Sequence, residues 1–492
     1  MFRVACWNPQ PMDAAMATPT YSGGMRSPAP VSRRTLLGAA ALGALGLAAT
    51  GYGWPRSTML PQGVTPAQVT PTPLRSLVSR WDINPWARGS YSALPVGTDS
   101  SVRQVLASAL MGGRIVLAGE YCDPGHPSTT TGAYSSGVRA ARRLLRNSPR
   151  SVVVIGAGMA GAAAARTLAD AGVSVTVLEA SGRVGGRILT NESWGRPVEM
   201  GAAWIHDWQP NPITTLARNA DLPLRVTNYD DSVVRDTVTG RVSSAGAQAD
   251  DRLAAAIDSI GDAEPSRLTS VATWLRRRDL ARGRFDQWAT ATELTQEYGL
   301  DPARLGQQAQ TEGSSNDSGD VLVGGGYSQL VSGLLSRITV SRRSPVTAVN
   351  ADARGVDLRV NDGRVLRADA VVVAVPLALL QARLPAISPW PRAVAGAVAG
   401  LTTGNLEKVV LQYERRWWGS HQVLGMVGGG VAGAPAGSVA ALRWTEMFDL
   451  TDLLGVPSLV AFSGGAAARA RPRTNAGCVA EVVAVLNAAY RG

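Results

Sequence analysis

Apolar residues along this chain fall into short unbroken runs separated by glycine-rich turns and amphipathic stretches. Residues 151–155, SVVVI, form one such run, rich in β-branched side chains. They lead into GAGMAG at 156–161, an alanine-rich stretch ending at Gly172, and a second run, SVTVLE, at 174–179. A short apolar run bounded by turn residues reads as a buried strand, and the alanine stretch as a helix packed closely on it. The spacing predicts strand, tight turn, helix, strand. Upstream, the stretch from about Gly132 to Leu145 reads as a helix. The loop RNSPR at 146–150 joins that helix to the strand at 151, an ordinary length for such a connection in an α/β layer.

The pattern changes over 213–316. ADDRLAAAIDSI and LTSVATWLRRRDLARGRF carry helical periodicity with few strand signals, and TEGSSNDSGD at 311–320 is a polar loop. Short β segments return with ITVSRRSPVTAV, GVDLRVNDG and ADAVVVAVPL, where Asn361-Asp362-Gly363 is a hairpin turn between two alternating runs. Residues 389–492 read as β-rich, with a glycine- and alanine-rich loop or weak strand at 425–441. The chain closes on a helical AEVVAVLNAAYRG, and PTPLRSLVSRW at 71–81 reads as its natural continuation.

A chain of 492 residues, 45% hydrophobic and 17% charged, can bury a large core and build two or more domains. The net charge of +11 raises the question of nucleic acid. The basic residues are scattered, without a run of five, so no nucleic-acid partner is expected. Lys and Arg total 48, and Lys408 is the single lysine. An arginine cannot readily lose its proton and a lysine can, which singles Lys408 out. Cys6, Cys122 and Cys478 match no metal spacing and leave one unpaired, and His126, His206 and His421 are dispersed, so no metal site is expected. SRRTLLGAAALGALGLAAT at 32–50 has the form of a twin-arginine export signal. An uncleaved anchor is the alternative, although the apolar stretch is short for a span.

The strongest chemical signal is the turn after the 151–155 strand. Gly156 permits the tight turn, Gly158 lets backbone approach a pyrophosphate, and Gly161 allows close helix packing. The helix start at Met159 and Ala160 offers unpaired N–H groups to an anion. Glu179, closing the next strand, can accept two ribose hydroxyls.

Several further motifs resemble the flavin amine oxidase family, and polyamine oxidases and flavin-type histone demethylases most of all. They are ASGRVGGRI at 180–188, GAAWIHDWQPNPITTLA at 201–217, GNLEKVVLQYERRWW at 404–418, RWDINPWARGSYS at 80–92 and RIVLAGEYCDPGHPSTTTGAYSSGVRA at 114–140. That family keeps the last two near its C-terminus, whereas here they precede GAGMAG. The resemblance therefore implies a circularly permuted chain. A fusion with a duplicated motif is the alternative, and neither motif occurs twice.

The implied fold is α/β: a Rossmann-like, doubly wound FAD-binding domain plus an α+β substrate domain in permuted order. The expected parts are a signal region at 1–53, a linker at 54–75, the permuted back of the FAD domain at 76–148 and its front at 149–212. A helical substrate subdomain at 213–316, more FAD domain at 317–388 and a β-rich substrate part at 389–492 follow. FAD is implied to be non-covalent, because Ser90 stands where some relatives bond a cysteine to the flavin. The cofactor-binding set is Gly156, Gly158, Met159, Ala160, Gly161, Glu179, Ala180, Arg183, Gly185, Gly186, Arg187, Gly201, Ala202 and Val346. Gly119, Glu120, Thr129 and Gly132 join it from the permuted segment, with Arg183 and Arg187 reaching phosphate. The resemblance makes Lys408 the holder of a water against flavin N5. Trp81 would pack along the flavin, Tyr91 would wall an aromatic cage, and Thr129 would face the flavin's pyrimidine edge. His206 would touch substrate or pack under the ring. Trp417 and Trp418 read as core.

The implied reaction is hydride transfer from an amine to FAD. Imine hydrolysis and reoxidation by O2 to hydrogen peroxide would follow, in an exported enzyme. An L-amino-acid oxidase, a carotenoid- or porphyrin-type desaturase and a non-catalytic flavin-binding protein are the rival readings. Membrane contact is expected only through an uncleaved anchor.

Overall fold

The computed structural model describes residues 70–262, 265–428 and 442–492. The twin-arginine segment, residues 54–69 of the linker and residues 429–441 of the glycine- and alanine-rich stretch lie outside them. The strand–turn–helix–strand unit forms where the apolar runs place it, as Ser151–Ile155, Met159–Asp170 and Ser174–Leu178. The two strands belong to a five-stranded parallel sheet ordered Thr339–Ser341, Ser174–Leu178, Ser151–Ile155, Ala370–Val373, Ile115–Leu117. One edge strand thus comes from upstream of the glycine-rich turn. Strands covered on both faces need continuous apolar runs, and Val152, Val153 and Val154, like Val371, Val372 and Val373, are buried.

Helices Thr130–Leu145 and Met159–Asp170 pack against one another. Small residues make this possible: a Cβ on Gly137 would lie 2.2 Å from the carbonyl oxygen of Ala160. A Cβ on Gly161 would lie 1.9 Å from the oxygen of Gly156, so the helix rests directly on the turn that precedes it. The Asn361-Asp362-Gly363 turn forms as the sequence indicates. It joins antiparallel strands Gly355–Val360 and Val365–Ala368, with Gly363 at φ +87°.

A seven-stranded mixed sheet makes the second layer. Its order is Arg75–Val78, Leu406–Gln412, Ser458–Gly464, Glu446–Asp449, Val423–Val427, Ser232–Asp236, Arg241–Val242. Alternation along the strands sorts its two faces. Val409, Leu411, Met447, Leu459 and Ala461 pack with Cys478, Val482, Val485 and Leu486 of the helix Asn475–Ala489. Val410, Phe448, Val460 and Phe462 pack together on the other side.

Two expectations change. Residues 71–81 do not extend the last helix: Arg75–Val78 is an edge strand paired antiparallel with Leu406–Gln412. Residue 70 nevertheless meets the last helix, since the backbone N–H and hydroxyl of Thr70 both donate to Asn487 Oδ1, at 2.9 and 2.7 Å. The 213–316 stretch is also less purely helical than its periodicity. Ser232–Asp236 pairs in parallel with Val423–Val427, a partner about 190 residues away that no local pattern reveals.

Candidate active site

One elongated cavity of about 650 Å³ lies between the parallel sheet and the seven-stranded sheet. At its first end Gly156, at φ +101°, turns the chain out of the strand. The helix Met159–Asp170 then begins with Gly158 as an N-cap that supplies no side-chain acceptor. Gly158 bridges to Gly185 of the second glycine motif, and Gly185 and Gly186 adopt φ of +108° and +58°. The helix N-terminus is thus exposed to the cavity between two glycine turns, a cradle suited to a pyrophosphate. Glu179 is buried, and its two carboxylate oxygens accept from the N–H groups of Ala157 and Ser181, both at 2.8 Å. These bonds fix its orientation at the cavity wall, and each oxygen retains acceptor capacity. Ala180 and Val346 line the same end.

At the other end stands Lys408, 5% exposed on the strand Leu406–Gln412. Its Nζ donates to the carbonyl oxygens of Gly201, at 2.5 Å, and Glu199, at 3.4 Å. It lies 5.5 Å from the ring centroids of both Trp204 and Phe462. Burial lowers its pKa to about 8, against an opposing pull from the Glu199 carboxylate. Desolvation in turn raises the Glu199 carboxyl above its ordinary value, although hydrogen bonds from the Tyr327 N–H and Thr190 and the charge of Lys408 oppose the shift. Trp204, Phe448 and Phe462 form a mutually edge-on or tilted trio, with centroids 5.2 to 5.7 Å apart.

The 80–140 stretch closes the cavity from above. Trp81 is held by its indole N–H on the Met200 oxygen, at 3.1 Å, and by its backbone N–H on Glu407 Oε1, at 2.7 Å. Tyr91 walls the cavity and donates its hydroxyl to the Gln296 carbonyl. Ser90 spends its hydroxyl on the Leu406 backbone, donating to its oxygen at 2.9 Å and accepting from its N–H at 2.8 Å. His206 lines the cavity with Nδ1 3.0 Å from Asp320 Oδ2. Trp81, Tyr91, Thr129, His206 and Lys408 therefore border one space, as do Gly119, Glu120, Gly201 and Ala202.

Some expected roles are corrected by the geometry. Gly161 does not line the cavity but packs the helix onto its turn, as its expected packing role requires; Gly132 does not line it either, and a Cβ there would lie 1.9 Å from the His126 oxygen. The helix begins at Thr130 rather than Gly132, and Thr129 is its N-cap. The Thr129 hydroxyl accepts from the Gly132 N–H at 3.0 Å and donates to the His126 oxygen at 2.8 Å, so capping occupies it. Arg183 donates to the carbonyls of Val184, Gly186 and Ile188, bracing the glycine loop rather than reaching outward. Arg187 is paired with Glu120 at 2.8 Å and donates to the Ser90 oxygen at 2.9 Å, which ties the upstream segment to the second glycine motif. Trp417 and Trp418 pack with Tyr413 away from the cavity, as expected of core residues.

The aromatic trio and Glu446 escaped the sequence reading. The antiparallel ladders pair Lys408 with Phe462 and Phe462 with Glu446. Side chains directly opposite one another share a face, so Lys408, Phe462 and Glu446 form a row across the cavity floor. Alternation in TEMFDL carries the missed signal, placing Glu446 and Phe448 on one side and Met447 on the other.

Two glycine turns, an exposed helix N-terminus and an oriented Glu179 define a dinucleotide-binding oxidoreductase fold, and the arm they line fits the FAD that the sequence implies. The chain belongs to the flavin containing amine oxidoreductase family, whose model matches residues 57–145 and 159–491. Among curated relatives, Probable polyamine oxidase 4 of Arabidopsis thaliana is 30% identical over 308 residues, 56% of this chain and 61% of its own length. Lysine-specific histone demethylase 2 of Homo sapiens is 26% identical over 294 residues, 55% of this chain and 35% of its own. The chain thus spans about three fifths of the plant oxidase it matches. Among solved structures, a putrescine oxidase redesigned in its cofactor binding aligns with a TM-score of 0.55 at 22% identity. It covers 70% of this chain and 82% of the other, and shares the fold.

Proposed function

We propose that this protein is an FAD-dependent oxidase of amines that carry a second positive charge. The observation that carries this reading is the row Lys408–Phe462–Glu446 on the cavity floor. FAD bound in the glycine-lined arm would supply the hydride acceptor, with O2 as the final oxidant. Gly156, Gly158 and the helix start at Met159 would hold its pyrophosphate, and Glu179 its adenosine ribose. The aromatic walls exclude water and favour the uncharged form of an amine. Lys408 holds and exchanges protons at the reacting end. Glu446, two strand spacings or about 10 Å from Lys408, receives the distal ammonium. Oxidation gives an imine, which water splits to a carbonyl compound and an amine.

A peroxide-coupled screen of diamines, polyamines, monoamines and amino acids tests the reading. Peroxide with diamines or polyamines supports it, and peroxide with amino acids alone overturns it. FAD is read as non-covalent, because the Ser90 hydroxyl is engaged by backbone and forms no thioether. Acid precipitation should release the yellow colour into the supernatant; colour kept in the pellet would contradict this.

We further infer that the chain is circularly permuted. Three observations support this: the edge strand Ile115–Leu117 drawn from upstream, the Thr70–Asn487 contact, and a family match that breaks between 145 and 159. A rearranged chain should therefore fold and bind FAD as the natural chain does. It would begin near residue 149, pass from 492 through a short flexible linker to residue 70, and end near residue 147. An insoluble or FAD-free product from this rearrangement would count against the inference.

A further inference from the structure

We propose that Asp320 and Tyr229 hold His206 as the base that takes a proton from the incoming ammonium, an inference that rests on the amine-oxidising reading above. His206 ends the strand Trp204–His206 and borders the cavity together with Trp204 and Lys408. Asp320 sits directly across the antiparallel ladder from it, so the two side chains leave the same face. Nδ1 of His206 is 3.0 Å from Asp320 Oδ2, and the Tyr229 hydroxyl donates to that same oxygen at 2.7 Å. The Tyr229 ring meets Phe448 edge-on, with centroids 6.2 Å apart, and Phe448 lines the cavity. The backbone is fixed as well, because Asn211 Nδ2 donates to the His206 oxygen at 3.0 Å. Asp320 is 12% exposed and His206 39% exposed, so the carboxylate is sheltered while the ring keeps a route to water.

A carboxylate on Nδ1 selects the tautomer that carries its proton there. Nε2 is then the nitrogen that accepts. Aliphatic amines reach a site near pH 7 mostly as ammonium ions, and an ammonium has no lone pair to support the developing imine. In the proposed step an N–H bond of the ammonium breaks and an Nε2–H bond forms. The electron pair stays on the amine nitrogen, the positive charge passes to the imidazolium, and Asp320 stabilises it. The proton leaves the exposed ring to water, and no electrons are transferred in this step. Among the described residues, the charged and titratable groups around His206 are Asp320 across the ladder, Tyr229 on the far side of the Asp320 carboxylate, Asp207 next in its own chain and Lys408 on the floor beyond Trp204. Asp207 accepts from the Ser315 hydroxyl at 2.8 Å in the 311–320 loop. His206 would be the catalytic residue; Asp320 and Tyr229 are positioning residues.

The test is anaerobic mixing of the FAD-loaded enzyme with 1,4-diaminobutane from about pH 6 to about pH 10, a range that spans His and amine titration. Flavin bleaching is followed for wild type, Asp320→Asn, His206→Ala and Tyr229→Phe. Near pH 7 the first two variants should bleach roughly tenfold or more slowly, the scale of a lost general base. Tyr229→Phe should show a smaller loss. The deficits should close as the pH approaches the amine's own pKa, where substrate arrives neutral, and added imidazole should speed His206→Ala. A structural defect would slow bleaching at every pH. Should Asp320→Asn fail to load FAD, the Tyr229→Phe profile and the imidazole response decide. Deficits that persist unchanged to high pH, or no deficit at all, overturn the relay. A wild-type flavin that no amine bleaches overturns the amine-oxidising reading and the relay with it.

Discussion

Replacing Lys408 by Met should leave a folded, yellow protein whose turnover is slower by roughly tenfold or more, the scale of about 1.4 kcal/mol of lost transition-state stabilisation. FAD retention follows from the layout: Gly156, Gly158, Glu179 and Val346 lie at the opposite end of the cavity. The loss follows from what Lys408 is, a buried amine between two aromatic rings, anchored to the Gly201 oxygen. Anaerobic stopped-flow mixing with amine and then with oxygen separates the two half-reactions. Wild-type rates in both would make Lys408 merely a structural residue. The same substitution has a pH signature. The folded pKa near 8 lies below the ordinary lysine value of 10.5. Between those two values the unfolded chain keeps a proton that the folded chain has released, so wild-type stability should rise with pH across that window. The Met variant should lack this rise, and denaturant melts at several pH values would show it.

Replacing Glu446 by Gln should raise KM for a diamine roughly ten- to a hundredfold while leaving KM for an uncharged-tail monoamine nearly unchanged. Glu446 is 4% exposed and lines the cavity floor beside Phe462 and Phe448. A hydrogen bond to a charged group contributes about 1.5–3 kcal/mol when its partner is present, and the amide keeps the shape while losing the charge. The readout is therefore a ratio between two substrates, which a general packing defect would not move. Equal losses on both substrates would remove Glu446 from substrate recognition.

Much of the cofactor arm was legible in the chain because its chemistry is local. Gly156, Gly158, Gly161 and Glu179 act through one strand–turn–helix–strand unit, whose geometry follows from residues a few positions apart. Lys408 stood out for a different reason, as the single lysine inside a recognisable motif. The family resemblance gives Thr129, Arg183 and Arg187 outward roles, toward the cofactor. Their partners are groups that only the folded loops bring near: the Gly132 N–H, the carbonyls of the glycine loop, the Ser90 oxygen and the Glu120 carboxylate. A polar side chain next to a turn can serve the turn or the ligand, and composition does not distinguish the two.

The amino-acid sequence by itself determined the class of fold, the nucleotide end of the cavity and the kinship of segments 80–140 and 151–217. Those properties reside in glycine spacing, apolar runs and short motifs. Only the tertiary structure decided what surrounds the reacting end. Lys408, Phe462 and Glu446 become neighbours because three strands adopt one register, and a slip of a single residue would turn the whole row to the opposite face. The His206–Asp320–Tyr229 contact likewise depends on pairing between strands more than a hundred residues apart. Register arises from the combined packing of both sheet faces, under the helix Asn475–Ala489 on one side and around the cavity on the other, and no local window of sequence contains that sum.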